Sequence, residues 1–422
     1  MAHQVTQSLF AQVLDEASRP DPYPLYARLR ETPVSRQGDD LYAVSTYAEI
    51  VSLLHDPRIS SDERKSRSGS GSFGASGRLM AAQNAQDGQE SRKPAFIFLD
   101  PPDHDRLRRI VMRHFTPERV NRLGEHVVSL VAELLDRRAG HDSMDVVDDL
   151  AYPLPVTVIC DLLGVPKEDE PRFHGWASAL ARTLDPPEGL SAEEVRQAET
   201  AAPELRAYLV QLAGERHARP SDDLLSALLT DGEAERTDGE AERMDAPEII
   251  ATMALLLIAG HETTVNLITN GMLTFLRNPE ALARLRADPG LIVPAVEEVL
   301  RYDPPVQFRT RTTLADIEIA GVTVPQGADV ALLLASGSRD PARFPGADRF
   351  DPARRDNQHL GFGGGVHYCV GAPLARIEAR VALGALVSRL VGPELAAGRP
   401  PYRHSASLRG PAHLVVGFDR LL

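Results

Sequence analysis

One stretch constrains the fold more than any other: 247-PEIIATMALLLIAGHETTVNLITNGMLTFLRN-278. Apolar residues recur at helical spacing, and a proline stands in the first turn. Asp245 and Glu248 form a capping-box-like start, and Asn278-Pro279 ends the run. At ~1.5 Å per residue such a helix reaches on the order of 45 Å, enough to cross a whole domain. A helix this apolar must be wrapped by others, which makes the chain mainly α. Its longest unbroken apolar run, residues 249–260, is too short to span a bilayer.

The centre of that helix breaks its own rules. Gly260, Glu262, Thr263 and Thr264 lie where burial should be deepest. Glycine there costs about 1 kcal/mol relative to alanine, and a buried carboxylate costs more unless it is partnered. Threonines that bond back to the preceding turn account for Thr263 and Thr264. They leave the Gly-x-Glu-Thr cluster unexplained.

Most of residues 105–302 has the helical period, as in 117-PERVNRLGEHVVSLVAELLDRRAG-140. The period changes over 306–335, where 317-IEIAGVTVPQGADVALLL-334 alternates around Gly321 and Gly327 and predicts short strands with tight turns. A last helix is expected from about 372 to 390, with short strands near the C-terminus. Residues 60–94 are rich in Ser, Gly and charge. They read either as a long functional loop or as a disordered linker. The tandem DGEAERT and DGEAERM within 231–244 predicts an acidic surface insertion. Neither a repeat architecture nor a clean linker divides the chain, so 1–422 reads as one mainly α domain with a minor β region.

A formal charge of −14 argues against a general nucleic-acid binder. Cys160 and Cys369 are the only cysteines and make no disulfide framework, which fits a reducing cytoplasm. The N-terminus lacks the apolar core of a signal peptide. The expectation is a cytoplasmic protein with no membrane anchor.

Cys369 stands in 359-HLGFGGGVHYCVGAPLAR-376. A phosphate loop is the first candidate, but the glycine spacing is not G-x-G-x-x-G and no Gly-Lys-Ser/Thr follows. Zinc is the second, but His367 and Cys369 have no second ligand pair nearby. A buried structural cysteine is the commonest fate of a lone thiol. Against it, Cys369 precedes a helix that opens with Ala372 and Pro373. Free N–H groups and the dipole at such an N-terminus favour a thiolate. Glycines 363, 364, 365 and 371 leave room for something flat above the sulfur. Together these suggest a haem iron ligand.

The pattern Phe362-Gly363-x-Gly365-x-His367-x-Cys369-x-Gly371 resembles the haem-binding signature of the cytochromes P-450, the haem-thiolate monooxygenases. The resemblance extends over roughly residues 20–420 and implies the triangular, mainly α fold of that family with haem b as cofactor. Cys369 becomes the axial ligand. Ala259-Gly260-x-Glu262-Thr263 resembles the family's oxygen groove: Gly260 opens the backbone over the haem, Thr263 donates a hydrogen bond to dioxygen, and Glu262 relays protons. Glu298 and Arg301 resemble the family's Glu-x-x-Arg pair, with Arg349 completing a structural network. His104, Arg108, Arg311 and His367 match its haem-propionate ligands; Asp103 stands where Glu is usual, and Arg309 ranks below Arg311. Ser338 stands where the family often has Asn.

The same resemblance lines a largely apolar substrate pocket with the 60–94 loop, Leu255, Ile258, Ala259, Val306, Gln307, Phe308 and Ser407. It implies hydroxylation or epoxidation of a bulky macrolide, polyketide or terpenoid. Electrons would come from a ferredoxin and its NAD(P)H-dependent reductase. A basic patch of Arg106, Arg109, Arg113, Arg376 and Arg380 would dock the ferredoxin. Two rival readings are a peroxide-driven peroxygenase or decarboxylase, which would not need the Glu262–Thr263 relay, and a non-enzymatic haem sensor or carrier.

Overall fold

The long apolar stretch forms one unbroken helix, Ala246–Arg277. Asp245 accepts a hydrogen bond from the Glu248 N–H and the Glu248 carboxylate accepts one from the Asp245 N–H, so the capping box is real. Lys93 and Arg106 pair with the same Glu248 carboxylate and anchor that end. The computed structural model describes residues 8–67, 93–185, 190–230, 243–396 and 398–422. Residues 68–92 of the 60–94 loop and 231–242 of the duplication therefore lie outside the described residues.

Helices pack around this rod: Pro153–Leu163, Glu170–Ala181, Ala192–Ala218, Ile292–Tyr302 and Ala372–Arg389 all touch it. Its apolar side chains, among them Met253, Leu257, Val265, Ile268 and Met272, sit in the largest hydrophobic core. By length and composition the rod could cross a membrane, but most of it is buried inside the fold. Burial on all sides is why its sequence is apolar around the whole circumference.

The predicted change of period at 306–335 is a sheet. Strands Val34–Arg36, Leu41–Val44, Asp329–Leu332, Arg309–Thr313 and Ile59–Ser60 are neighbours in that order. Only the Leu41–Val44 and Asp329–Leu332 pair is parallel. Ile317–Ile319 and Val322–Val324 form a hairpin whose turn residues, Ala320 and Gly321, both have positive φ. That is the turn a two-residue hairpin prefers. Short strands also form near the C-terminus, including Val415–Gly417 against Ser143–Asp145. The helix predicted over 117–140 stops at Asp136, and Gly140 turns the chain with φ +81°.

Candidate active site

The two glycine-bearing stretches of the sequence meet across one cavity of about 450 Å³. Its floor is the cysteine loop and its roof is the middle of the long helix.

Residues 361–371 fold as a tight loop that delivers Cys369 to the N-terminus of helix Ala372–Arg389. The Cys369 N–H bonds the Phe362 carbonyl at 3.1 Å. Gly365 has φ +62°, and a Cβ there would fall 1.9 Å from the Leu54 carbonyl oxygen, so no other residue fits. Burial pushes the Cys369 thiol up, while the N–H groups of Gly371 and Ala372 and the Arg108 guanidinium favour its thiolate. An electropositive ligand at the sulfur would tip that balance.

Arg108 and Arg311 line the cavity with His367. Arg108 comes from helix Asp103–His114 and Arg311 from the sheet, so two distant segments supply the cations. Arg311 is half-buried; desolvation first, and Arg309 beside it next, lower its guanidinium to about 10. His104 is fully buried with its ring against His367, and its Nε2 has no hydrogen-bond partner. Orphaned buried nitrogens are rare and point to an absent partner.

Across the cavity, Thr263 donates its hydroxyl to the Ala259 carbonyl at 2.7 Å, the ordinary back-bond. The helix continues unbroken through Gly260, and the opening expected there is not seen. Instead a Cβ at 260 would sit 3.1 Å from Ile159, so the glycine admits helix Pro153–Leu163. Glu262 does not line the cavity. It is buried on another side of the helix, where desolvation raises its carboxyl against the pull of Arg403.

Three further expectations are corrected. Arg349 is exposed, and it is its backbone carbonyl that accepts from Arg301, at 3.2 Å. The second guanidinium on Glu298 is that of Arg354, whose Nε lies 3.0 and 3.1 Å from the two carboxylate oxygens. Gln307 is buried away from the cavity, donating to the Pro304 carbonyl at 2.7 Å and accepting from the Tyr26 hydroxyl at 3.2 Å. Ser407 is likewise removed: its hydroxyl and its N–H both serve Asp185. Leu255, Ile258, Ala259, Val306 and Phe308 do line the cavity.

The sequence reading missed Glu297. It accepts from Arg376 at 2.8 and 2.9 Å, from Arg380 at 3.3 Å, and pairs with His359 at 3.1 Å. Burial opposes its charge, but hydrogen bonds from His359 and Arg376 hold it at about 2. Arg376 also reaches the Tyr368 hydroxyl and covers the Phe362 ring, so Glu297 braces the cysteine loop directly. Adjacency to Glu298 was the only signal in sequence. Ser338, the departure from Asn, accepts from the Leu360 N–H at 3.1 Å and gives its carbonyl to Arg301.

Residues 74–391 match the cytochrome P-450 family profile. The chain belongs to the cytochrome P-450 family. It is 37% identical over 422 residues to 6-deoxyerythronolide B hydroxylase of Saccharopolyspora erythraea, covering 94% of this chain and 96% of that one. It is 36% identical over 402 residues to mycinamicin IV hydroxylase/epoxidase of Micromonospora griseorubida, covering 93% and 94%. The ligand-free crystal structure of CYP164A2 from Mycobacterium smegmatis matches with a TM-score of 0.86 at 42% identity, covering 98% of this chain and 100% of that one. This P-450 is thus a monooxygenase of the bacterial type, and haem is its family's cofactor.

The residues present fit a haem. A thiol at a helix N-terminus offers the axial sulfur, and Arg108 and Arg311 offer cations for two propionates. His104 has a buried nitrogen lacking a partner.

Proposed function

We propose that this P-450 hydroxylates or epoxidises a bulky, largely apolar secondary metabolite of the macrolide, polyketide or terpenoid class. The observation that carries the reading is the opposition of Cys369 and Thr263 across one cavity walled by Leu255, Ile258, Val306 and Phe308. The named activities of the two macrolide-type relatives support the substrate class. The whole chain acts as a single haem-thiolate domain.

Haem, held by Cys369 with Arg108, Arg311, His367 and His104 at its edge, supplies dioxygen activation and the oxidising power for the C–H or C=C bond. The protein supplies binding and protons. The apolar walls exclude water and orient the substrate. Thr263 donates to Ala259, so its oxygen lone pairs accept from a water that presents its other proton to the cavity. Glu262, raised by burial, takes protons from the Arg403 side and returns them toward Thr263 by rotation of its side chain.

Electrons come from a ferredoxin and its NAD(P)H-dependent reductase. The docking face is narrower than the sequence implied. Arg106 is paired with Glu248, and Arg376 and Arg380 with Glu297. Arg109 and Arg113 are exposed on the helix that also carries exposed Met112, and they are the cations of the proposed face.

The test is Thr263→Ala in the reconstituted system with a polyketide or terpenoid substrate that shifts the haem spin state. A monooxygenase should keep consuming NAD(P)H while product per NAD(P)H falls about tenfold or more. Unchanged coupling contradicts the proton role of Thr263. Haem binding without NAD(P)H-dependent turnover in either protein contradicts the enzyme reading.

A further inference from the structure

Arg309 and Arg311 lie two residues apart on the strand Arg309–Thr313. Side chains at i and i+2 leave a strand on the same face, about 7 Å apart. Both line the cavity. Arg311 lies in the field of His367, as does Arg108, the two other groups assigned to the haem edge. Arg309 stands two residues nearer in the chain to Val306 and Phe308, which line the same cavity.

Charge accounting leaves Arg309 over. A haem would bring two propionates, and Arg108 and Arg311, each otherwise bonded among the described residues only to a backbone carbonyl, would supply a cation for each. The Arg309 guanidinium, unlike its backbone, which pairs with Leu332, has neither a hydrogen bond nor an ion pair to any described residue. Burial holds its guanidinium below the usual value, with Asp185, Cys369 and Glu63 the anionic groups in its field. Asp185 is already engaged by Arg182 and by Ser405 and Ser407. Glu63 lines the same cavity. Burial first, and Asp329 next, lift Glu63 to about 7, against the pull of Arg311 and, less strongly, of Arg309. A planar, permanently charged donor fork in an apolar chamber is costly unless something matches it.

We infer that Arg309 is a specificity-determining residue that anchors a carboxylate on an otherwise apolar substrate, with Glu63 as the internal group that competes for it. This deepens the monooxygenase proposal and rests on it. A guanidinium binds a carboxylate through two parallel hydrogen bonds, and an ester of the same chain offers no such match. A site built around a buried charged donor rejects analogues that leave it unpaired.

The test is an optical spin-state titration of the purified holoenzyme with two probes, dodecanoic acid and methyl dodecanoate. The wild type should bind the acid about tenfold or more tighter than the ester. Arg309→Gln should bring the ratio close to one while ester affinity and haem content stay unchanged. Arg309→Lys should restore part of the preference, and Glu63→Gln should raise it. An acid that binds no tighter than its ester in the wild type, or gives no shift, overturns the anchor. So does an unchanged ratio in Arg309→Gln, and so does loss of haem from it, which would place Arg309 at the cofactor. Any of these leaves the monooxygenase reading standing, because that reading fails only if the Cys369-dependent spectrum is absent.

Discussion

His104 packs its ring against His367, with centroids 4.2 Å apart and planes at 52°. One ring nitrogen of His104 meets Asp105 at 2.8 Å, and the other has no partner. With Nδ1 donating to the Asp105 carboxylate, Nε2 donates to a second carboxylate only when the ring is the imidazolium, the form that two carboxylates favour. His104→Phe should keep the packing and the fold but lose the donor. Haem transfer to an apoprotein acceptor should then speed up about tenfold. An unchanged rate would mean that His104 only fills space.

Glu298 separates two arginines by their partners. Arg301 and Arg354 bring guanidinium groups to it, and Arg349 brings only a carbonyl to the network. Arg354→Ala should cost about 3 kcal/mol or more in denaturant unfolding, as expected when one partner of a buried pair is removed. Arg349→Ala should stay within about 0.5 kcal/mol, as exposed substitutions do. Equal losses would restore Arg349 to the network.

Glu378 predicts a pH dependence. It is buried in helix Ala372–Arg389, its Oε2 has no partner, and burial alone pushes its carboxyl from 4.5 up to about 8. Between those values the folded protein holds a proton that the unfolded chain has released. Stability from this group should therefore be fully present below about pH 4.5, fall as pH rises, and level off above about 8. Glu378→Gln should flatten that slope in Tm measured from pH 5 to 8.5. A slope identical to wild type would show that the carboxylate has found a partner.

Reversing charge at the proposed docking face should weaken electron delivery. Arg109→Glu with Arg113→Glu should lower ferredoxin-supported turnover about tenfold at low ionic strength, and the gap should narrow with salt. Turnover and salt dependence equal to wild type would remove this face from the docking site.

What the sequence disclosed depended on how local each signal was. The long helix, its capping box and the cysteine loop were legible because each is written in consecutive residues. Glu298 and Arg301 were legible because i, i+3 spacing puts them on one helix face. Arg354 was not, because which arginine turns inward depends on how the loop after Pro345 folds back. Gln307 and Ser407 were misplaced for a similar reason. Tyr26 and Asp185, far away in the chain, claim their polar groups and draw them off the cavity wall. Glu297 was passed over beside Glu298, since neither spacing nor composition says that Arg376 and His359 converge on it.

The central claim is that Cys369 holds haem iron through its sulfur. The most direct measurement is the absorption spectrum of the reduced holoprotein with carbon monoxide, compared with that of Cys369→Ser. A strongly red-shifted Soret band in the wild type, lost in the variant, is the result predicted for thiolate ligation. A band at the shorter wavelength of imidazole ligation, unaltered in Cys369→Ser, would contradict it.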